Sequence, residues 1–267
     1  ATLEKEEGSG AISVTAASSS ADAGGFVGHM DSGILKISGN SVETVTSENG
    51  NAGGLVGSAN GGKIELKQEE GMATSFKFAD LLELSAGEEY AAGGLIGAYT
   101  FSEDFGGDTT VNQNKQYEYN LSGYQFHKIT ISGGKNAGGL FGVLTNNIAK
   151  NAISISASEA IGTIEGAISK KEVTNFGGAV GSYSAENMGS SFSIKGDAKS
   201  FISITSTGGT NTSDSYGGII GTISGSSYVE IENVSVSTAD MKKDSKASFG
   251  GLVGKINDGL LNVGNVT

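Results

Sequence analysis

Gly24-Gly25-Phe26-Val27-Gly28 is the first of seven copies of one pattern: two glycines, two apolar residues, one glycine. The others are Gly53-Gly54-Leu55-Val56-Gly57, Gly93-Gly94-Leu95-Ile96-Gly97, Gly138-Gly139-Leu140-Phe141-Gly142, Gly177-Gly178-Ala179-Val180-Gly181, Gly217-Gly218-Ile219-Ile220-Gly221 and Gly250-Gly251-Leu252-Val253-Gly254. Successive copies start 29, 40, 45, 39, 40 and 33 residues apart. Self-similarity at such a period marks a repeat architecture, in which each unit buries its apolar face against its neighbours.

Outward from the first copy, residues 24–52 read as three extended pieces: Gly25-Phe26-Val27-Gly28-His29, Gly33-Ile34-Leu35-Lys36-Ile37-Ser38 and Val42-Glu43-Thr44-Val45-Thr46. Asp31-Ser32-Gly33, Gly39-Asn40 and Glu48-Asn49-Gly50-Asn51 punctuate them as turns, which is the pattern of short alternating strands. Later units repeat the design. The piece after the signature recurs as Lys63–Leu66, Ile153–Ser156, Phe192–Ile194 and Val229–Ile231. The piece before the next one recurs as Leu82–Leu84, Ile129–Ser132, Ile161–Ile164, Ile202–Thr205 and Val234–Ser237.

The expected fold is therefore all-β: a right-handed parallel β-helix (β-solenoid) of about seven coils of three strands, forming a single domain over residues 1–267. At the ~4.8 Å inter-strand spacing, seven coils make a rod of roughly 35 Å. Extended loops are expected at about 69–80 and 99–126. A β-propeller also repeats at ~40–50 residues, but its four-stranded blade does not fit the 29-residue unit.

Glycine weakens a strand, so its recurrence implies a backbone demand at Gly25, Gly54, Gly94, Gly139, Gly178, Gly218 and Gly251. Either the chain bends there at φ > 0, or another element passes too close for a Cβ. Strand parity places the two central apolar residues on opposite faces. Either one column points outward, or a bend turns both inward.

Composition narrows the function classes. The net charge is −12, all 17 basic residues are lysine, and acidic surfaces repel nucleic acid and anionic membranes. No apolar run reaches transmembrane length, and Ala1-Thr2-Leu3-Glu4-Lys5-Glu6-Glu7 is too polar for a signal peptide. The absence of cysteine excludes disulfides and thiolate chemistry, and 44 glycines without a single proline exclude collagen-like sequence. Gly259-Leu260-Leu261-Asn262-Val263 still reads as a strand with no polar cap, so the chain is expected to be part of a longer one.

The glycine core, preceded by Ala23, Ala52, Ala92, Ala137, Phe176, Tyr216 or Phe249, resembles the GLUG motif. Leu55, Leu95, Leu140 and Leu252 match the motif's leucine, and Phe26, Ala179 and Ile219 depart from it. The change from alanine to aromatic before the glycines reads as a change in packing volume at one corner. GLUG repeats occur in bacterial surface and secreted proteins, including large adhesins and the non-catalytic parts of immunoglobulin A peptidases. The resemblance implies an extracellular or cell-surface β-helix and carries over no catalytic residue.

No pattern for catalysis, cofactor or metal binding stands out. His29 and His127 have no motif partner, the segment around Gly254-Lys255 lacks the phosphate-loop spacing, and no G-x-S-x-G elbow is present. The 45-residue unit holds Tyr99, Phe101, Phe105, Tyr117, Tyr119, Tyr124 and Phe126 among Glu103, Asp104, Asp108, Asn112, Gln113 and Asn114. Tyr99, Phe101, Phe105, Tyr117, Tyr119 and Tyr124 form the candidate binding loop: either they seal an insertion onto the rod, or they contact a glycan or protein. The function expected is a non-catalytic structural and adhesive module, with a glycan or a host or bacterial surface protein as partner. The alternative is a carbohydrate-active β-helix enzyme of the polysaccharide lyase or hydrolase kind. Two or more carboxylates converging in one groove would favour the enzyme, and a smooth rod bearing aromatic loops the adhesin.

Overall fold

The computed structural model describes residues 2–3, 12–18, 20–37, 42–66, 81–101, 116–120, 129–147, 152–157, 166–168, 173–187, 190–196, 202–207, 215–239 and 248–267. Among them the regular elements are all β-strands, and they pair in parallel, unit upon unit. Propeller blades, built of strands from one unit, are thereby excluded.

Each signature supplies two strands where the sequence predicts one. The residues before and at the first glycine form one seven-stranded sheet, running from Ala23–Gly24 through Ala91–Gly93 to Ser248–Gly250. The residues from the second apolar position onward form another, from Val27–Met30 through Ile96–Phe101 to Val253–Ile256. Between them the second glycine and first apolar residue make a bend. A typical unit therefore carries four strand segments rather than three, as in Ala52–Gly53, Val56–Asn60, Lys63–Leu66 and Leu82–Ser85.

The bend accounts for the apolar pair. Because the chain turns between the two positions, strand parity no longer applies, and both columns face inward. Leu55 and Val56, Leu95 and Ile96, Leu140 and Phe141, Ala179 and Val180, and Ile219 and Ile220 are all at most 2% exposed. The backbone groups at the bend are also satisfied by stacking. Leu95 N–H and Ile96 N–H both donate to the Leu140 carbonyl, at 2.9 and 3.1 Å, and the same fork repeats from unit to unit.

Of the two explanations for the glycines, close approach holds. None of the signature glycines has a positive φ. A Cβ on Gly97 would lie 2.5 Å from the Gly57 carbonyl oxygen, and one on Gly24, Gly93, Gly138 or Gly177 would lie 2.6 Å from a glycine nitrogen of the next unit. Cβ atoms on Gly25 and Gly94 would collide with the carbonyl oxygens of Gly54 and Gly139. Gly139, Gly178 and Gly218 hold the same position and donate to the backbone of the following unit at 3.1–3.3 Å. Gly251, in the last unit, has open space beside it.

The remaining strands follow two tracks. The piece after the signature forms Thr2–Leu3, Ile34–Ile37 and Lys63–Leu66 as a three-stranded sheet, then Gln116–Asn120, Ala152–Ala157, Ser191–Gly196, Tyr228–Ala239 and Leu260–Val266 in an eleven-stranded one. The piece before the next signature runs through that larger sheet as Ile12–Ala16, Val42–Ser47, Leu82–Ser85, Ile129–Ile131, Gly166–Ile168 and Ile202–Thr207. The strand in register with Ile129–Ile131 is Gly166–Ile168, and the expected Ile161–Ile164 lies outside the described residues. The two tracks merge in the twelve-residue strand Tyr228–Ala239, which turns at Asn233. Asn233 adopts φ 53°, a region asparagine tolerates, and its Nδ2 donates to the Gly196 carbonyl at 3.1 Å. Asn265 repeats that conformation one unit on and donates to Asn233 Oδ1 at 3.2 Å.

One continuous apolar core runs through the stack. The change from Ala23, Ala52, Ala92 and Ala137 to aromatics builds a column of rings: Phe176 and Tyr216 have centroids 6.0 Å apart, Tyr216 and Phe249 5.2 Å with planes 2° apart. Phe249, Ile256, Leu260 and Val263 in the last unit are exposed, whereas Tyr216, Ile223 and Ile231 one unit earlier are buried.

Burial pushes the Tyr183 phenol above its ordinary value, with the adjacent Asn146 side chain acting in the opposite sense. A raised folded-state value means that stability is intact below the ordinary phenol range and falls as pH rises through it. Tyr183→Phe is therefore expected to move the alkaline unfolding limb to higher pH while leaving neutral stability almost unchanged. Urea titrations at several pH values measure it; an unmoved alkaline limb contradicts it.

Candidate functional site

Two of the six residues of the candidate aromatic loop lie in the core rather than on a surface. Tyr99 and Phe101, on strand Ile96–Phe101, are 1% and 0% exposed. Tyr99 packs against Phe101 at 6.0 Å and Phe141 at 6.2 Å, and its hydroxyl donates to the Gly62 carbonyl at 2.8 Å. Alternation along that strand sends both rings into the core, so both leave the list of contact residues. Tyr117 and Tyr119 lie on a strand, Gln116–Asn120, in register with Ile153 and Ile155. Phe105 and Tyr124 lie outside the described residues, as does the expected loop at 69–80.

His29 has partners that the sequence did not reveal. Its Nδ1 lies 2.6 Å from Ser58 Oγ and its Nε2 3.0 Å from Asp31 Oδ1. Ser58 Oγ donates to Asp22 Oδ2, and Asp22 Oδ1 accepts from Asn51 N at 2.7 Å and Asn51 Nδ2 at 2.9 Å. The set has the residue types of a nucleophilic triad but not its hydrogen bonding. Ser58 donates its proton to Asp22, so His29 is not placed to take it as a triad's base would. The cluster is a polar clasp between units, and it continues along the stack. Asn51 Oδ1 accepts from Ala91 N at 2.9 Å, Asn175 Nδ2 donates to Asn136 Oδ1 at 2.7 Å, and Thr222 Oγ1 donates to Asn175 Oδ1 at 2.7 Å.

A concave site forms at the turns that lead into three successive signatures. Its volume is about 760 Å³, and its lining comes from 46–49, 85–90 and 132–134. Thr46 and Ser85 are register partners on neighbouring strands, and Ser132 N–H donates to the Leu84 carbonyl at 2.8 Å. They set a row of hydroxyls along the cavity. The turn Gly87-Glu88-Glu89-Tyr90 supplies the other side, closed by a 3.0 Å bond from Tyr90 N–H to the Gly87 carbonyl. Gly87 leaves room for the Tyr90 ring, since a Cβ there would meet Tyr90 Cδ2 at 2.9 Å. Glu48, Glu88 and Glu89 carry carboxylates at exposed positions, and Lys135 Nζ meets Glu89 Oε2 at 2.7 Å.

The charge and chemistry of this groove suit an uncharged or cationic polar ligand with many hydroxyls. Among the described residues no group of three or more histidine, aspartate or glutamate side chains is arranged to hold a metal ion. Among them, too, no helix is long and apolar enough to cross a membrane. The chain matches no protein-family model, no curated protein and no solved structure.

Proposed function

We propose that the chain is a right-handed parallel β-helix of about seven coils, a GLUG-type repeat region of a bacterial surface or secreted protein. It acts as a non-catalytic rod that presents a contact surface to glycans or to surface proteins outside the cell. The observation that carries this reading is the unit-to-unit register, kept through two seven-stranded parallel sheets. Such a stack uses the repeated geometry of its units to pair each with the next.

The test is a screen of the full chain on a glycan array and on immobilised matrix proteins. Retention on at least one saccharide or matrix protein is expected; retention on none contradicts the reading. One observation favours the carbohydrate-active enzyme: three glutamates surround a single groove. Hydrolysis needs two carboxylates at a fixed separation across the scissile bond, whereas Glu89 is tied to Lys135 and its side chain is 77% exposed. Release of new reducing or unsaturated ends from polysaccharides would establish the enzyme instead.

A further inference from the structure

The geometry points to the groove beside Tyr90 as a binding site for a short neutral or amino-bearing oligosaccharide. This rests on the proposed saccharide contact and moves it from the aromatic unit to a different place. Four features combine. The cavity, about 760 Å³, has the size of a small-ligand site and room for a short oligosaccharide. Tyr90, half-buried with its ring against Gly87, offers an aromatic edge or face to the apolar C–H side of a sugar ring. Thr46 and Ser85, both half-buried, offer hydroxyls that donate and accept. Glu48 and Glu88 accept charge-assisted hydrogen bonds from sugar hydroxyls or from an amine.

Charge selects among saccharides. Glu48, Glu88 and Glu89 line the groove on a chain of net charge −12, and Lys135 pairs with Glu89. Uronates and sialylated or sulfated sugars would bring further negative charge into that field, and amino sugars would relieve it. The rim is built by stacking. Turns of three units meet there, and the 2.6 Å bond from Lys135 N–H to the Tyr90 carbonyl fixes one unit on the next. The groove is therefore a property of the assembled stack, formed before any ligand arrives.

Calorimetric titration of the full chain with chitotriose, cellotriose and trigalacturonate tests the proposal. Chitotriose and cellotriose are expected to bind, with trigalacturonate at least tenfold weaker. Tyr90→Ala should weaken chitotriose at least tenfold, Tyr90→Phe should stay within threefold, and Tyr117→Ala/Tyr119→Ala should change nothing. Thermal midpoints establish that each variant is folded. Should Tyr90→Ala fail to fold, Glu48→Gln/Glu88→Gln, at exposed positions, must weaken chitotriose at least tenfold. Binding that survives these changes, tighter binding of trigalacturonate, or binding of neither neutral nor amino sugar overturns the assignment. Glycan-array binding that persists in folded Tyr90→Ala would overturn this site alone and leave the proposed function standing.

Discussion

Gly94→Ala is expected to destabilise the chain by about 3 kcal/mol, while Gly251→Ala, at the same position of the last signature, changes stability by no more than about 1 kcal/mol. At Gly94 a methyl group would run into the Gly139 carbonyl oxygen and come within 2.7 Å of Ile129 Cδ1. The isoleucine methyl can rotate away; the backbone oxygen cannot move without parting two units. At Gly251 a methyl group meets nothing within 4 Å and φ is not positive, so alanine there mainly reduces the freedom of the unfolded chain. Urea unfolding of both variants gives the comparison. Equal losses would mean that the glycines serve local backbone conformation, which every copy shares, rather than inter-unit approach, which the last copy lacks.

Tyr216→Ala is expected to cost about 3–5 kcal/mol, the range for emptying a buried aromatic site. Tyr216 is 1% exposed and sits between Phe176 at 6.0 Å and Phe249 at 5.2 Å. Removing it loses its own burial and two ring contacts, each worth roughly 0.5–1.5 kcal/mol. Phe249→Ala, at a residue 37% exposed, is expected to cost about 1 kcal/mol. Because the rings touch, Tyr216→Ala/Phe249→Ala should cost less than the sum of the single changes. Chemical denaturation of the three variants measures this; additive losses would show that the ring column is not one packed unit.

Much of this architecture is legible in the residues. Ile34–Ile37, Val42–Ser47, Lys63–Leu66 and Ile202–Thr207 are short segments rich in Ile, Leu, Val and Thr between turn clusters, and all are strands. The alanine-to-aromatic change before the glycines was readable as packing volume because it recurs at one offset. The bend within the signature stood as one of two alternatives, since two apolar neighbours in a glycine-rich pentapeptide fit a flat strand as well as a corner. Tyr99 and Phe101 looked like loop aromatics because the unit is long, yet its extra residues come after the strand that buries them. The clasp at His29 joins residues 29 and 36 apart in sequence, a distance at which only stacking creates neighbours. The groove hid for a related reason. Glu48-Asn49, Glu88-Glu89-Tyr90 and Ser132-Gly133-Gly134 each read as ordinary turn punctuation, and only their common place before successive signatures signals that they meet.

The stack itself is open to direct measurement, because a chain without cysteine accepts spin labels only where cysteines are introduced. Asn60, Thr100, Thr145, Ser184 and Ser224 follow one another in register along one sheet. With Asn60→Cys and Ser224→Cys labelled, four steps of ~4.8 Å predict a narrow distance distribution centred near 19 Å. A broad distribution, or one centred beyond about 30 Å, would contradict a continuous parallel stack.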